Sequence, residues 1–512
     1  CLAKTCQGKK PSAVLPGTYR RHEPEKTVLH QVVRENAQTL FAQAQERTAS
    51  GCGYPAHVER EFRRYIDCGV LGRGFVRVHC DGCGRDELVA FSCKARALCP
   101  SCVARRMADT AARLVDQRLP IAPYRQWVFS FPWRIRVALA KDGALLSRVL
   151  RVCTNKVFAY QRAKARAAGI ENPRTLGVSF VQRFGSLLQL NPHAHNVLPD
   201  GVFIDNDDGE LTLWPLSPPT DDDVQAVAMQ VVKAVVKLVA NATSEDTVDD
   251  DERAADAALI EATQPPLGKT EPIHRPLPKR RTAQVHTDLG MFSVHADTHV
   301  AAENRAGLER MLRYACRPAL CVERLSVTAT GKVCYRLRKP YYTGQTEIVL
   351  DPVAFLRRLA ALVPPVRQNQ VRYFGLLASQ SADHHRLAAL APVAKADAAT
   401  ETLAGVTAAA DVPAGVPADA APDPPNAGQR SYRMTWATLL ARVFSQDLLT
   451  CTHCGGKRRI LAAITARDIA AKILTHLELP TDVPELAPAR APPQTELFAD
   501  DDWPSTSGGR GT

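Results

Sequence analysis

Two histidines one residue apart sit in Leu187-Leu188-Gln189-Leu190-Asn191-Pro192-His193-Ala194-His195, which continues as Asn196-Val197-Leu198-Pro199-Asp200-Gly201-Val202-Phe203. The surrounding Leu, Val and Phe residues predict a strand. The two-residue period of a strand sets His193 and His195 on one face, with Ala194 on the other. Two imidazoles on a rigid strand make half of a divalent-metal site. The same pair also occurs as two ordinary sheet histidines, and the short motif does not choose between them. Upstream, Gly177-Val178-Ser179-Phe180-Val181-Gln182 reads as another strand. If the two strands pair, Gln182 reaches the same ion; a buried or edge glutamine without that role is the equal alternative.

A second chemistry belongs to the cysteines. Cys80-Asp81-Gly82-Cys83 is followed, after fifteen intervening residues, by Cys99-Pro100-Ser101-Cys102. This is the spacing of a four-thiolate zinc site, in which each tight pair offers two sulfurs to one tetrahedral ion. The expectation is one zinc on Cys80, Cys83, Cys99 and Cys102, with Cys68 and Cys93 as spare thiols and His79 as a substitute ligand. A redox or free-thiol cluster is the competing reading. Four protein ligands leave no open position, so such a zinc is structural. Arg77, Arg85, Lys94, Arg96, Arg105 and Arg106 surround the pairs and make the module a grip for nucleic acid. Further on, Cys451-Thr452-His453-Cys454-Gly455-Gly456 resembles half a zinc ribbon with no second pair after it. A metal and a plain turn with reduced thiols both remain open there.

The 512 residues exceed one domain, and a hydrophobic fraction of 45% suffices for real cores. The 65 Lys and Arg against 53 Asp and Glu leave a net charge of +12, which favours a polyanionic partner such as DNA. No apolar run reaches the ~18–20 residues that span a bilayer. The nearest, Ala226 to Ala242, is interrupted by Lys233 and Lys237 and reads as an amphipathic helix after Asp221-Asp222-Asp223. The start, at Cys1, carries no signal-peptide pattern. Fifteen cysteines without a secretion signal point to metal binding in a reducing cytosol.

The elements that must position these residues give an α+β chain. Helices are expected over about 24–50, 58–66, 143–168 and 352–362, and strands over 126–132, 177–182, 290–296, 334–339 and 347–350. A helix from about Glu303 to Cys316 buries Leu308, Met311, Leu312 and Ala315. Tyr314 lies at the edge of that face with Arg310 and Arg317 on its flank, and Pro318 ends the helix. A tyrosine so placed is ordinarily a packing residue. The division is a helical and zinc-binding domain over 1–110 and a sheet domain over 120–385, interrupted at 243–285 by an acidic, then Pro-rich and basic insertion. An Ala/Pro-rich linker spans 386–430, and a C-terminal module with Trp436, Leu439, Leu440, Val443 and Phe444 spans 431–479. The tail, 480–512, is rich in Pro and Asp and expected to be disordered.

These residues together resemble a known family. Cys80 to Met107 looks like the N-terminal zinc-binding domain of bacterial rolling-circle insertion-sequence transposases of the IS91 type. Val181-Gln182-Arg183-Phe184-Gly185 through Pro192-His193-Ala194-His195 to Asp200-Gly201 is similar to that family's HUH metal strand. Glu303 to Arg317-Pro318 resembles its tyrosine helix. The resemblance runs from about 55 to 460 in the family's order. It implies an HUH-type antiparallel sheet with flanking helices, and Mg²⁺ or Mn²⁺ on His193 and His195 with Gln182 as third ligand. It further implies that Tyr314 attacks a phosphate of single-stranded DNA at the transposon ends, giving a 5′-phosphotyrosine and a free 3′-OH. Arg310, Arg313 and Arg317 would hold that phosphate. Some members carry two tyrosines four residues apart. Here those positions are Arg310 and Pro318, so the chain looks like a single-tyrosine form, using Tyr314 twice or working as a homo-oligomer. The setting implied is the bacterial cytoplasm, at the nucleoid. The alternatives are an HUH replication initiator, which needs no such zinc module, and a catalytically inactive zinc-dependent DNA-binding protein.

Overall fold

The computed structural model describes residues 23–48, 50–243, 259–264, 280–341, 344–390 and 449–490. Helices α1 (Val28–Arg47) and α2 (Ala56–Ile66) open the chain, followed by the hairpin β1 (Phe75–Cys80) and β2 (Asp86–Ala90). Helix α3 (Pro100–Arg113) then leads into β3 (Tyr124–Ser130), α4 (Trp133–Lys141) and α5 (Gly143–Ala167). Strands β4 (Leu176–Phe184) and β5 (Leu190–Pro199) follow, then the hairpin β6 (Gly201–Asp205) and β7 (Leu211–Pro215) and the helix α6 (Asp221–Thr243). Next are β8 (Thr282–Thr287), β9 (Gly290–His295), the short β10 (His299–Val300) and the helix α7 (Arg305–Ala315). A small sheet of β11 (Leu325–Val327), β12 (Val333–Arg336) and β13 (Glu347–Leu350) precedes α8 (Pro352–Leu362), β14 (Val371–Gly375) and α9 (His384–Ala389). The C-terminal segment adds β15 (Arg458–Ile464) and α10 (Arg467–His476).

The main sheet is antiparallel, in the order β14-β4-β5-β3-β9-β8, with β10 also paired to β3. The histidine strand is therefore internal, flanked by β4 and β3. Alternation along the strands divides two cores. Ala194 and Leu198 of β5 and Phe129 of β3 meet α5 and α6 through Val149, Leu150, Cys153, Val227 and Val231. On the other face, Val178 and Phe180 of β4 and Val197 of β5 meet α7 through Leu308, Met311, Leu312 and Ala315. His193 and His195 share the parity of Val197 and so lie on the α7 face. A third core joins α1 and α2 to α8 and the small sheet through Leu29, Phe41, Phe62, Tyr335 and Leu356.

Local chemistry fixes the elements that matter. Asp142 caps α5, its carboxylate accepting from the amides of Ala144 at 2.7 Å and Leu145 at 2.9 Å. Asn304 caps α7 through the amide of Gly307 at 2.8 Å. Arg305 anchors the same helix by donating to the carbonyls of Val115, Leu119 and Pro120. Arg125, buried in β3, makes a two-pronged pair with Asp200 at 2.8 and 2.7 Å and donates to the Ala296 carbonyl. That clamp ties the far end of the histidine strand to β3 and to the end of β9.

Several boundaries differ from the sequence reading. Residues 185–189, expected to begin the histidine strand, form a turn in which Leu188 has φ +58° and its amide bonds to the Gly185 carbonyl. The leucines there are apolar because the turn itself is buried in the third core. Helix α7 ends at Ala315, before Pro318, where Cys316 turns the chain. Within the expected insertion, α6 runs to Thr243 and β8 begins at Thr282, while 244–258 and 265–279 lie outside the described residues. So do 391–448, which hold most of the Ala/Pro-rich linker with Trp436, Leu439, Leu440, Val443 and Phe444. Residues up to Arg490, assigned to the tail, run along α1, with Ala487 donating to the Arg34 carbonyl at 2.8 Å and Arg490 to Thr39 at 3.0 Å. Among the described residues no helix is long and apolar enough to cross a membrane.

Candidate active site and metal centres

The register sets His193 opposite Gln182 of β4 and Ser130 of β3, and His195 opposite Phe180 and Val128. The two imidazoles lie 4.9 Å apart between ring centroids. His193 uses Nδ1 to donate to the Asn191 carbonyl at 2.7 Å, which leaves Nε2 as its acceptor. His195 is buried, and neither of its ring nitrogens has a hydrogen-bond partner among the described residues. Burial lowers the His193 pKa to about 4, helped by the charges of Arg317 and Arg136 against the opposing Asn191 bond. Burial likewise holds His195 well below the ordinary imidazole range, with His193 and Arg317 adding to it. Both rings are therefore neutral at pH 7, the protonation state that ligates a metal.

Tyr314 completes the group from above. Its ring stands edge-on to His195 with centroids 5.8 Å apart, and 45% of the residue is exposed. Gln182 holds the helix end in place: its amide nitrogen donates to the carbonyls of Tyr314 at 2.8 Å and Ala315 at 2.9 Å. The Gln182 Oε1 is buried and has no hydrogen-bond partner among the described residues. A buried oxygen and a buried imidazole without partners are costly unless something else satisfies them. Together with His193 Nε2 they make up a neutral N,N,O donor set of the kind that suits a divalent ion.

The arginines expected to hold DNA have different fates. Arg317 lies over the rings of Phe184 at 4.8 Å and Tyr314 at 5.2 Å. Arg313 is bridged to Glu309 at 2.9 Å, which offsets much of its charge, and Arg310 is exposed. Gln182 and Arg317 also line a cavity of about 380 Å³ between α3 and the sheet, shared with Arg96, Arg106, Arg183 and Arg367. Arg105 and Arg106 both line a larger groove of about 1050 Å³ on the cysteine module.

The cysteines correct the expected zinc set. Cys80 and Cys83 do not meet Cys99 and Cys102; the four are divided between two clusters. Cys99 and Cys102 gather with Cys68 and Cys93, with Sγ–Sγ distances of 3.7 Å for Cys68–Cys99 and Cys68–Cys102 and 3.4 Å for Cys93–Cys102. Cys80 and Cys83 sit at the tip of the β1–β2 hairpin and gather instead with Cys451 and Cys454. The spacing rule failed because it assigns an ion to the two nearest pairs. Here the start of α3 faces the loop carrying Cys93, not the hairpin tip. The overlooked signal was Cys68 and Cys93, the two thiols left unassigned. His79, the expected substitute ligand, belongs to neither cluster; its Nδ1 bonds Asp86 at 2.7 Å. Amides of Cys93 and Ala95 point at the sulfurs of Cys68 and Cys93 at 3.4 Å each, as they do around thiolates.

Residues 39–131 match the transposase zinc-binding domain of the IS91 type, and residues 177–384 match the transposase family model Y2_Tnp. No curated protein and no solved structure matches the chain. The first span contains the complete Cys68, Cys93, Cys99 and Cys102 cluster, and the second contains Gln182, His193, His195 and Tyr314. With a structural-zinc module and a transposase domain in this order, the chain belongs to the IS91-type transposases.

Proposed function

We propose that this transposase cuts and rejoins single-stranded DNA through a 5′-phosphotyrosine on Tyr314, as in rolling-circle transposition. The observation that supports this most is the meeting of Tyr314 with two neutral histidines and an unpartnered Gln182 oxygen on the same sheet face. His193, His195 and Gln182 would hold Mg²⁺ or Mn²⁺, which supplies Lewis-acid charge at the scissile phosphate. The Tyr314 oxygen bonds to phosphorus as the bond to the 3′-oxygen breaks, and that oxygen leaves as a 3′-OH after taking up a proton. The phosphodiester energy is kept in the tyrosyl ester, so a later 3′-OH reverses the step and rejoins the strand. Arg317, held over the tyrosine ring, adds positive charge where the phosphate must sit. The zinc on Cys68, Cys93, Cys99 and Cys102 is structural, since four thiolates leave it no open position.

The test is incubation with labelled single-stranded oligonucleotides of transposon-end sequence and Mg²⁺ or Mn²⁺. A denaturation-resistant adduct should form and map to Tyr314, and Tyr314→Phe should fold, bind DNA and form none. An adduct on another tyrosine would move the active site. Binding without any adduct would favour the inactive DNA-binding reading.

A further inference from the structure

The cluster of Cys80, Cys83, Cys451 and Cys454 joins parts of the chain about 370 residues apart, and its second pair lies outside both matched spans. We propose that these four cysteines bind a second structural zinc, which staples the C-terminal segment onto the N-terminal module. Its two halves are the same local structure built twice. In the first knuckle the Gly84 amide donates to the Cys80 carbonyl at 2.8 Å, and the Cys80 amide to the Arg85 carbonyl at 2.9 Å. In the second, the Gly455 amide donates to Cys451 at 2.8 Å, and the Cys451 amide to Gly456 at 2.8 Å. Gly84 at φ +69° and Gly455 at φ +71° occupy the same left-handed position. Each knuckle opens a strand or hairpin of one sheet, in which β15 pairs with β1 in the order β15-β1-β2. The half ribbon seen in the sequence thus finds its missing half near the other end of the chain.

The sulfur geometry fits one tetrahedral ion. Cys80 and Cys454 are 3.4 Å apart at Sγ, Cys83 and Cys451 are 3.6 Å apart, and all four ligand atoms lie within 4.8 Å of one another. Zinc–sulfur bonds of about 2.3 Å place tetrahedral sulfurs about 3.8 Å apart, whereas a disulfide needs about 2.05 Å. Glycines let the backbones approach. A Cβ on Gly456 would lie 3.2 Å from the Cys454 sulfur and 3.6 Å from that of Cys80, and one on Gly82 would lie 3.4 Å from Cys454. The Gly456 amide also points at the Cys454 sulfur at 3.4 Å. The Asp81–Arg459 pair across the two knuckles, 2.9 Å apart, is exposed and adds little by itself. Besides the proposed metal, the segment is held by the β1–β15 ladder, a small core of Phe75, Ala470 and Leu474, and the bonds of Ala487 and Arg490 to α1. What the staple secures is a composite surface: Arg467 of α10 joins Arg64, Arg73, Lys94, Arg105 and Arg106 around the larger groove.

The inference is independent of the nuclease reading, because its readout is zinc, not cleavage. Full-length protein purified with reductant should carry two zinc ions per chain by elemental analysis. Cys451→Ser/Cys454→Ser and Cys80→Ser/Cys83→Ser should each retain one, and combining all four changes should still retain one. Limited trypsin digestion of the Cys451→Ser/Cys454→Ser protein should cleave at Lys457 to Arg459 at least tenfold faster than in wild type, with the sheet domain still resistant. A single zinc in the wild type, two zincs retained in the C-terminal pair variant, or a disulfide between Cys80 and Cys454 in the reduced preparation would overturn it.

Discussion

The amide of Gln182 donates to the carbonyl of Tyr314 at 2.8 Å, so one side chain on the strand beside the histidines also fixes the end of the tyrosine helix. Its other amide atom, Oε1, is buried and has no hydrogen-bond partner among the described residues. Under the function proposed above, Gln182 has two tasks: it would offer an oxygen to the ion, and its amide sets the height of the tyrosine over the sheet.

Two substitutions separate those tasks. Gln182→Glu keeps an oxygen ligand but removes both N–H donors, taking from the buried Ala315 carbonyl a bond worth about 1–3 kcal/mol and leaving the Tyr314 carbonyl with its backbone bond from the Arg317 amide at 3.4 Å. It should bind Mn²⁺ at least as well as wild type by calorimetry yet form the adduct more than tenfold more slowly. Gln182→Ala should lose on both measurements. Wild-type adduct rates in Gln182→Glu would mean that the docking bond has no part in positioning Tyr314.

Metal binding should stabilise the fold through the buried imidazoles. An ion at a hundredfold excess over its Kd adds about 2.7 kcal/mol, a rise of several degrees in melting temperature. Mn²⁺ should produce that rise in wild type and in Tyr314→Phe, and none in His193→Ala or His195→Ala. Zinc content should be unchanged in all four proteins. A rise that survives the loss of both histidines would place the ion elsewhere.

Acid should destabilise the metal-free protein through the same residues. His193 is held at about 4 by burial, below the ~6.5 of an unfolded histidine. Between these values the unfolded chain binds the extra proton and the folded one does not, so stability falls as the pH drops from about 6.5 towards 4. His195 acts in the same direction. Denaturant midpoints measured across this range should fall less steeply in His193→Asn. An equal slope would show that other groups dominate, among them His30, which burial also lowers.

DNA affinity should depend steeply on salt, because Arg105 and Arg106 line a cationic groove. Each phosphate neutralised contributes nearly one unit to the log–log slope. Arg105→Ala should weaken binding across all sequences and reduce the slope by about one. Arg106 also donates to the carbonyls of Lys94 and Ala95 beside the zinc cluster, so Arg106→Ala should lower stability as well. A salt-independent affinity would mean that these charges only face solvent.

By itself the sequence determined what depends on neighbours along the chain. Strand alternation set His193 and His195 on one face, and helical periodicity put Leu308, Met311, Leu312 and Ala315 on one side of α7 with Tyr314 at its edge. These are local regularities, legible without knowing what lies opposite. The tertiary structure decided what meets across the fold: that Gln182 pairs with His193, that its amide reaches the tyrosine helix, and how six N-terminal cysteines divide. Spacing rules assume that ligands close in sequence share an ion, and that holds only where the chain folds back at once. Here the β1–β2 hairpin carries Cys80 and Cys83 away from Cys99 and Cys102, towards a knuckle about 370 residues later. The fate of a thiol was set by strand pairing between distant segments, which no window along the sequence contains.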